Sequence, residues 1–376
     1  MKTVPKRLKR MTTVLFSVLL LVILAIYLYM QRPEFGKAPA GKRLEMMNKS
    51  SHYKNGRFHN MHNTPMLTEG YSITDLVYDQ FFKKFPRRTP ADSIPCVKTD
   101  LSGLPQDDDV LVWFGHSSYF LQTGGKRFLV DPVFSENASP VPGTNRSFKG
   151  SNAYAASDMP QIDYLLITHD HYDHLDYETV TALKEKVKTV VCGLGVGAHF
   201  ERWGFAPDKI IEKDWNDSIV PEPGITIHIT PARHFSGRGF KRNNTLWVSF
   251  ILQTPALKVF MGGDSGYDTH FAEIGHKHGP FDLAILENGQ YNPAWKNIHS
   301  MPGEVLKAAQ ELKAKRLFPV HVAKFRLAQH PWDEPLTELC RLNEGCIVPL
   351  VTPLIGEAVN LDEHGRVFPQ WWKGVN

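Results

Sequence analysis

Between Ile167 and Asp176 the chain reads Ile-Thr-His-Asp-His-Tyr-Asp-His-Leu-Asp, directly after an apolar run from Tyr164 to Thr168. Three imidazoles and a well-placed carboxylate fall within six residues at the end of a strand-like segment. Imidazole nitrogen and carboxylate oxygen are the ligands that a borderline-soft divalent ion such as zinc takes. Side chains two apart on an extended segment point the same way, so His169 and His171 can grip one ion from one side. Asp173 and His174 come round the turn and can face a second. The bland alternative is a solvated histidine loop. A His-x-His-x-Asp-His set is far rarer by chance than a histidine pair, and it sets a condition on the fold: further ligands must arrive from other strand ends.

Three such ends stand out. Pro231-Ala232-Arg233-His234 follows the apolar run Ile225 to Thr230, and Phe318-Pro319-Val320-His321 closes the run Leu317 to Val320. Met261-Gly262-Gly263-Asp264-Ser265-Gly266 follows Lys258 to Phe260, with glycines that let the backbone approach closely. Alone, each could equally be a surface or hydrogen-bonded residue. Further strands are predicted at Val110–Phe114, Ser118–Gln122, Lys126–Val130, Thr189–Cys192, Trp247–Gln253 and Phe281–Leu286. Gly124-Gly125 marks a hairpin. Helical spacing covers Ile73–Lys84, Asp176–Lys186 and Pro302–Lys315. Strands alternating with helices, with histidines at strand ends, predict an α/β layered fold whose chemistry sits on its edge loops.

The N-terminus has a different character. Met11 to Met30 is 20 residues without a charge, long enough at ~1.5 Å per residue to span the ~30 Å hydrocarbon layer. The cations before it (Lys2, Lys6, Arg7, Lys9 and Arg10) should stay in the cytoplasm by the positive-inside rule, placing the rest on the far side. A cleaved signal peptide is the rival. Its core would be shorter, and small residues appear only late, at Ala38 to Ala40. The expected organisation is a basic tail over 1–10, a single-pass anchor over 11–30, a tether and packing extension over 31–108, and a catalytic domain over 109–376. The five N-terminal cations account for more than the whole formal charge of +4. The remaining body is nearly neutral and makes no electrostatic case for nucleic acid. Four cysteines (Cys96, Cys192, Cys340, Cys346) are too few for a disulfide scaffold and are expected as free buried thiols. Cys340 and Cys346 are close enough in sequence to bridge in an exported domain.

On these motifs the chain resembles the metallo-β-lactamase superfamily. Within it, the resemblance is to the branch of N-acylphosphatidylethanolamine-hydrolysing phospholipases D and their bacterial relatives. It runs from about Phe35 to the C-terminus. Its supporting segments are Trp113 to Ser117, Leu129 to Ser135, Ile162 to Tyr177, Gly262 to Tyr267 and Asn297 to Pro302. The resemblance implies an αββα four-layer sandwich, here preceded by a transmembrane helix, with two zinc ions in an edge groove. Manganese and iron also accept His and Asp ligands. One ion would take His169, His171 and His234, the other Asp173, His174 and His321, with Asp264 bridging. Members that hydrolyse β-lactams commonly carry a cysteine at the bridging position, so that activity is not favoured here.

His116 and Asp131 are candidate supports that orient the ligands; for Asp131 the alternative is capping the turn at Pro132. Asp176 is either such a support or the N-cap of the following helix. The expected chemistry is metal-assisted hydrolysis of a phosphodiester in a phospholipid. Asp173 would orient the water and take its proton. His299 would contact the phosphate or assist the departing oxygen, unless it is simply a surface histidine. Trp203, Phe235, Tyr267, Tyr291 and Trp295 are candidates for lining an acyl pocket. Two rivals remain: a lactonase-type hydrolase of a cyclic ester, and a catalytically silent, membrane-tethered metal-binding protein.

Overall fold

The computed structural model describes residues 5–376, so Lys2 of the basic cluster lies outside the described residues. The helices are α1 Lys6–Tyr29, α2 Lys42–Met47, α3 Ile73–Phe82, α4 Tyr177–Leu183, α5 Gly197–Arg202, α6 His270–His278, α7 Pro302–Glu311 and α8 Glu334–Leu342. Strands β1 Tyr53–Lys54 and β2 Arg57–Phe58 form a small hairpin. The remaining strands are β3 Val110–Trp113, β4 Tyr119–Thr123, β5 Lys126–Val130, β6 Ile162–Ile167, β7 Val187–Gly193, β8 Ile210–Lys213, β9 Ser218–Glu222, β10 Ile225–Thr230, β11 Ser249–Gln253, β12 Lys258–Met261, β13 Leu283–Glu287, β14 Leu317–Val320 and β15 Ala358–Asn360.

One sheet runs β15-β3-β4-β5-β6-β7-β8 and the other β14-β13-β12-β11-β10-β9. Period-two alternation sends residues of each strand to two different cores. Leu111 and Trp113 of β3, Leu121 of β4 and Leu166 of β6 meet Ile227, Phe250, Val259 and Phe318 between the sheets. Val112, Phe120, Leu165 and Val190 face outward under Val180 and Leu183 of α4 and Phe200 of α5. On the far side, Ile251, Phe260 and Ala284 lie under Phe271 of α6, Leu306 of α7 and Leu339 of α8. The layers are therefore helix, sheet, sheet, helix. Strands buried on both faces read as unbroken apolar runs, which is why they stood out in the sequence.

Strands β8, β9 and β15 escaped the sequence reading. Each lies at a sheet edge with a single partner and is largely part-exposed, so none carries a continuous apolar run. Helix α7 stops at Glu311, short of Lys315, because Lys313 takes φ 55° and Ala314 turns to bridge Phe281. All four cysteines are free, but only Cys192 is buried. Burial of the others was the wrong expectation: Cys96 and Cys346 sit in exposed loop stretches.

Helix α1 has a mean hydropathy of 2.6 over its most apolar window and no buried side chain, and is long and apolar enough to cross a membrane. The chain beyond it is stitched down. Tyr29 Oη donates to Pro140 O at 2.7 Å, and Trp203 Nε1 donates to Pro33 O at 2.9 Å. Met47, Phe58 and Ile94 are buried in the inter-sheet core, so the stretch expected as a tether and packing extension contributes core side chains.

Two histidines away from the site are held neutral. Burial pushes His270 down to about 3 and His330 down to about 4, and His330 Nε2 accepts the Gln290 N–H at 2.9 Å. The unfolded chain, with histidines near 6.5, binds more protons than the folded one between those values and 6.5. Stability of the metal-free protein is therefore expected to fall as pH drops from about 6.5 toward 4. Urea midpoints measured across that range check this, and His330→Gln should flatten the slope.

Candidate metal centre

The ligand-bearing strands share a direction. In the first sheet β3 and β5 each pair antiparallel to β4, and β6 is parallel to β5. In the second, β10 and β12 each pair antiparallel to β11, and β13 and β14 follow β12 in parallel. Their C-terminal ends thus open on one edge of the sandwich. His116 follows β3, Asp131 follows β5, His169 to His174 follow β6, His234 follows β10, Asp264 follows β12 and His321 follows β14.

The structure brings all seven predicted ligand residues together. His171 Nδ1 lies 2.9 Å from His169 Nε2 and 3.2 Å from His234 Nε2. Asp173 Oδ2 lies 3.3 Å from His321 Nε2 and 3.5 Å from His174 Nε2. Asp264 sits between the two groups. Its oxygens are 3.2 Å from both His174 Nε2 and His321 Nε2, 3.8 Å from His234 Nε2 and 4.0 Å from His169 Nε2.

Four of the five imidazoles, those of His169, His174, His234 and His321, are aimed by what their other nitrogen touches. His174 Nδ1 lies 2.8 Å from Asp131 Oδ2. Asp131 also accepts from the Thr168 amide at 2.9 Å and the Thr168 hydroxyl at 2.6 Å. That hydroxyl in turn receives His169 Nδ1 at 3.0 Å. His234 Nδ1 donates to Ile298 O and His321 Nδ1 to Gly289 O. A carbonyl or carboxylate on Nδ1 fixes the tautomer and leaves an Nε2 lone pair facing inward. His116 Nε2 donates to Asp173 at 2.9 Å, and burial pushes His116 down to about 3, so it stays a neutral donor. Asp131 therefore bonds both His174 and Thr168 from its place at the Pro132 turn. Asp176 caps α4 through the Glu178 amide, and also accepts from the Ser135 amide and the Thr179 hydroxyl.

These residues fit a cation. Three ring nitrogens converge at His169, His171 and His234, and burial holds His169 and His234 well below the ordinary histidine value. His174 Nε2 and Asp264 Oδ1, both buried, face each other at 3.2 Å and have no other hydrogen-bond partner. Burial opposes a charge on His174, yet the charges of Asp264 and Asp173 pull it well above its ordinary value, so the cage draws positive charge to itself. The local backbone is bent for the purpose. His116, Asp131 and His321 take left-handed φ of 52°, 42° and 68°, which costs about 1–3 kcal/mol each for such residues. Gly263 has φ 61°, and a Cβ there would come within 2.8 Å of Thr168, so only glycine lets the Asp264 loop lie against β6.

Sequence reasoning missed Glu287, Asp170 and Arg238. Glu287 ends β13, where an acid closing an apolar strand was itself the usable signal. Its carboxylate accepts from His299 Nδ1 at 2.6 Å and the Ser300 amide at 2.8 Å. Burial works against a charged His299, but Glu287's charge and hydrogen bond push it up to about 9. His299 is thus a half-buried member of the site, not a surface residue. Asp170 accepts from the Gly237 amide, the Thr245 hydroxyl and His199. The buried Arg238 donates to Asp170 O at 2.8 Å, Leu175 O at 2.7 Å and Glu34 O, spanning the ligand turn and tying it to the chain beyond α1. No local pattern marks it.

The groove over the centre is a cavity of about 280 Å3 with the metal-facing groups at its floor. Its apolar walls are Met66, Leu67, Leu76, Phe235, Trp295 and Leu327. Of the predicted aromatic lining, Phe235 and Trp295 are there. Trp203 instead packs on Phe200 and Tyr177, Tyr267 bonds Glu311, and Tyr291 bonds Glu334 and stacks on His330. Their hydroxyls and ring nitrogens found partners elsewhere in the fold.

Removing an outer partner should loosen metal. Asp131→Asn is expected to lower zinc affinity about 10- to 100-fold, read by competition titration. Arg238→Gln leaves buried carbonyls unpaired, at about 1–3 kcal/mol each, and should lower the melting temperature of the metal-free protein as well.

A family described as "Beta-lactamase superfamily domain" matches residues 126–322, the stretch holding every ligand position. An uncharacterized protein of Mycobacterium tuberculosis is 38% identical over 330 residues, 86% of this chain and 88% of its own. The N-acyl-phosphatidylethanolamine-hydrolyzing phospholipase D 1 of Caenorhabditis elegans is 32% identical over 227 residues, 56% of this chain and 62% of that one. Igni18, a metallo hydrolase from Ignicoccus hospitalis, shares the fold with a TM-score of 0.52 at 19% identity, covering 67% of this chain and 97% of its own. The chain belongs to the metallo-β-lactamase superfamily of metal-dependent hydrolases, and within it resembles the N-acylphosphatidylethanolamine-hydrolysing phospholipases D.

Proposed function

We propose that this protein is a membrane-anchored, two-zinc phosphodiesterase of phospholipase D type acting on N-acylphosphatidylethanolamine-like lipids. The observation that carries the reading is Asp264, whose carboxylate lies within 4.0 Å of a nitrogen from each of two separate imidazole groups. His169, His171 and His234 would hold one ion, Asp173, His174 and His321 the other, and Asp264 would join them. When bound, the ion pair supplies an acidified water and positive charge facing the phosphoryl oxygens. The residues do the rest. Asp173, lining the groove and held by His116, is placed to orient the attacking water and take its proton. His299 has Nδ1 engaged by Glu287 and lines the groove, so its Nε2 is left to donate to a phosphoryl or departing oxygen. Water adds to phosphorus, the bond to the N-acylethanolamine oxygen breaks, and phosphatidic acid remains. The apolar walls above a charged floor suit a lipid, with headgroup down and acyl chains along Phe235 and Trp295.

Location supports the same reading. Helix α1 would anchor the chain, with Lys6, Arg7, Lys9 and Arg10 kept on the cytoplasmic side and the catalytic domain on the periplasmic or extracellular side. A tethered hydrolase meets bilayer lipids at high effective concentration. A lactonase remains the rival, and the two differ in product.

Metal analysis of the purified full-length protein should give two equivalents, and N-acylethanolamine release from N-acylphosphatidylethanolamine should stop on chelation. Asp264→Asn should lose most metal and most activity; wild-type turnover with metal retained would sink the bridging assignment. Lactone opening with no phosphodiester cleavage would decide for the rival. The alkaline limb of kcat should fall as His299 loses its proton, and Glu287→Gln, removing the charge that holds that proton, should move the limb to lower pH.

A further inference from the structure

Helix α3 is amphipathic, and its apolar side is turned to solvent. Ile73, Val77 and Phe81 recur every four residues, one stripe of a helix. Tyr78 and Phe82 stack beside them at 5.0 Å. Ile73 is 72% exposed, Phe81 77% and Phe82 73%. Of the neighbouring α3 side chains, Leu76 points the other way, into the wall of the active-site groove. A short helix with bare aromatics on one face and a groove-lining leucine on the other sits at the rim of the groove. Soluble surfaces rarely leave such a patch uncovered.

The loop 235–243 extends the same rim. Phe235 lines the groove, Arg242 lies over its ring at 5.2 Å and contacts Met66, and Phe240 is 83% exposed. Met30, the first residue past α1, packs against Gly239 of this loop. One loop therefore joins the exit of the membrane-length helix to the mouth of the groove. Cations punctuate the rim. Lys84, Arg57, Lys241 and Arg242 are exposed and make no ion pair among the described residues. Bare aromatics next to unpaired lysine and arginine are what an interfacial helix needs at an anionic bilayer.

We infer that α3 and the Phe240–Arg242 loop form a docking surface for an anionic phospholipid bilayer, seating the groove mouth on the membrane in which α1 is anchored. This deepens the lipid-hydrolase reading and shares its premise that substrate arrives in a bilayer. The rim cations take the anionic headgroups while Phe81, Phe82 and Phe240 enter the acyl boundary.

The test uses full-length protein with exposed Cys96 and Cys346 changed to Ser and Phe81→Cys carrying an environment-sensitive fluorophore. It is reconstituted into phosphatidylcholine vesicles with or without phosphatidylglycerol. A blue shift and quenching by brominated acyl chains, stronger with phosphatidylglycerol, are expected. Lys84→Glu with Lys241→Glu should weaken docking by about fivefold or more per charge. A label that stays in water in both vesicles overturns the inference, and so does a label buried in detergent in step with protein concentration, which marks self-association. The readout needs no turnover. Docking without lipid hydrolysis would defeat the functional reading alone, and hydrolysis with the label in water would defeat this inference alone.

Discussion

A buried carboxylate ringed by inward-facing imidazole lone pairs is stable only if positive charge lies among them. That requirement, centred on Asp264, organises the molecule. Four of the surrounding histidines are turned inward by an acceptor on the far nitrogen: Asp131, the Thr168 hydroxyl, or the carbonyls of Gly289 and Ile298. The result is a preformed cage. Its lone pairs and left-handed backbone are unfavourable by themselves, and three apolar cores of fully buried side chains offset them.

Codirectional strand ends explain how residues so distant in sequence can converge. β3, β5 and β6 from one sheet, and β10, β12, β13 and β14 from the other, all stop at one edge. Close packing between the sheets makes that edge stiff. A displaced ligand would have to shift Phe250, Phe318 or Trp113, each almost fully buried. The same edge carries Glu287, which extends the charged network from Asp264 to His299.

Residues just beyond α1 are part of this architecture. Glu34 O receives Arg238, and the Lys37 amide donates to His199, whose other nitrogen meets Asp170 inside the ligand turn. Gly36 takes φ 69°, and a Cβ there would lie only 2.0 Å from His199 Nδ1. The chain leaving the membrane-length helix thus braces the back of the metal cage. Helix α1 and the groove are connected by a bonded segment, not by a loose linker.

How much of this could be read in advance depended on how local each signal was. The ligand turn, Asp264, His234 and His321 were legible because each is a His or Asp closing an apolar strand, and strands buried on both faces announce themselves. Edge strands β8, β9 and β15 were not, since half-exposed strands carry mixed residues. Tyr267, Tyr291 and Trp203 looked like groove aromatics, but hydrogen-bond partners drew them elsewhere. By itself the sequence determined the layered fold, the apolar N-terminal helix and which His and Asp side chains gather at the sheet edge. The tertiary structure alone decided that Arg238 clamps the turn, that Glu287 charges His299, and that α3 turns its aromatics outward. Those depend on groups far apart in the chain meeting in space, and no spacing along the chain encodes such a meeting.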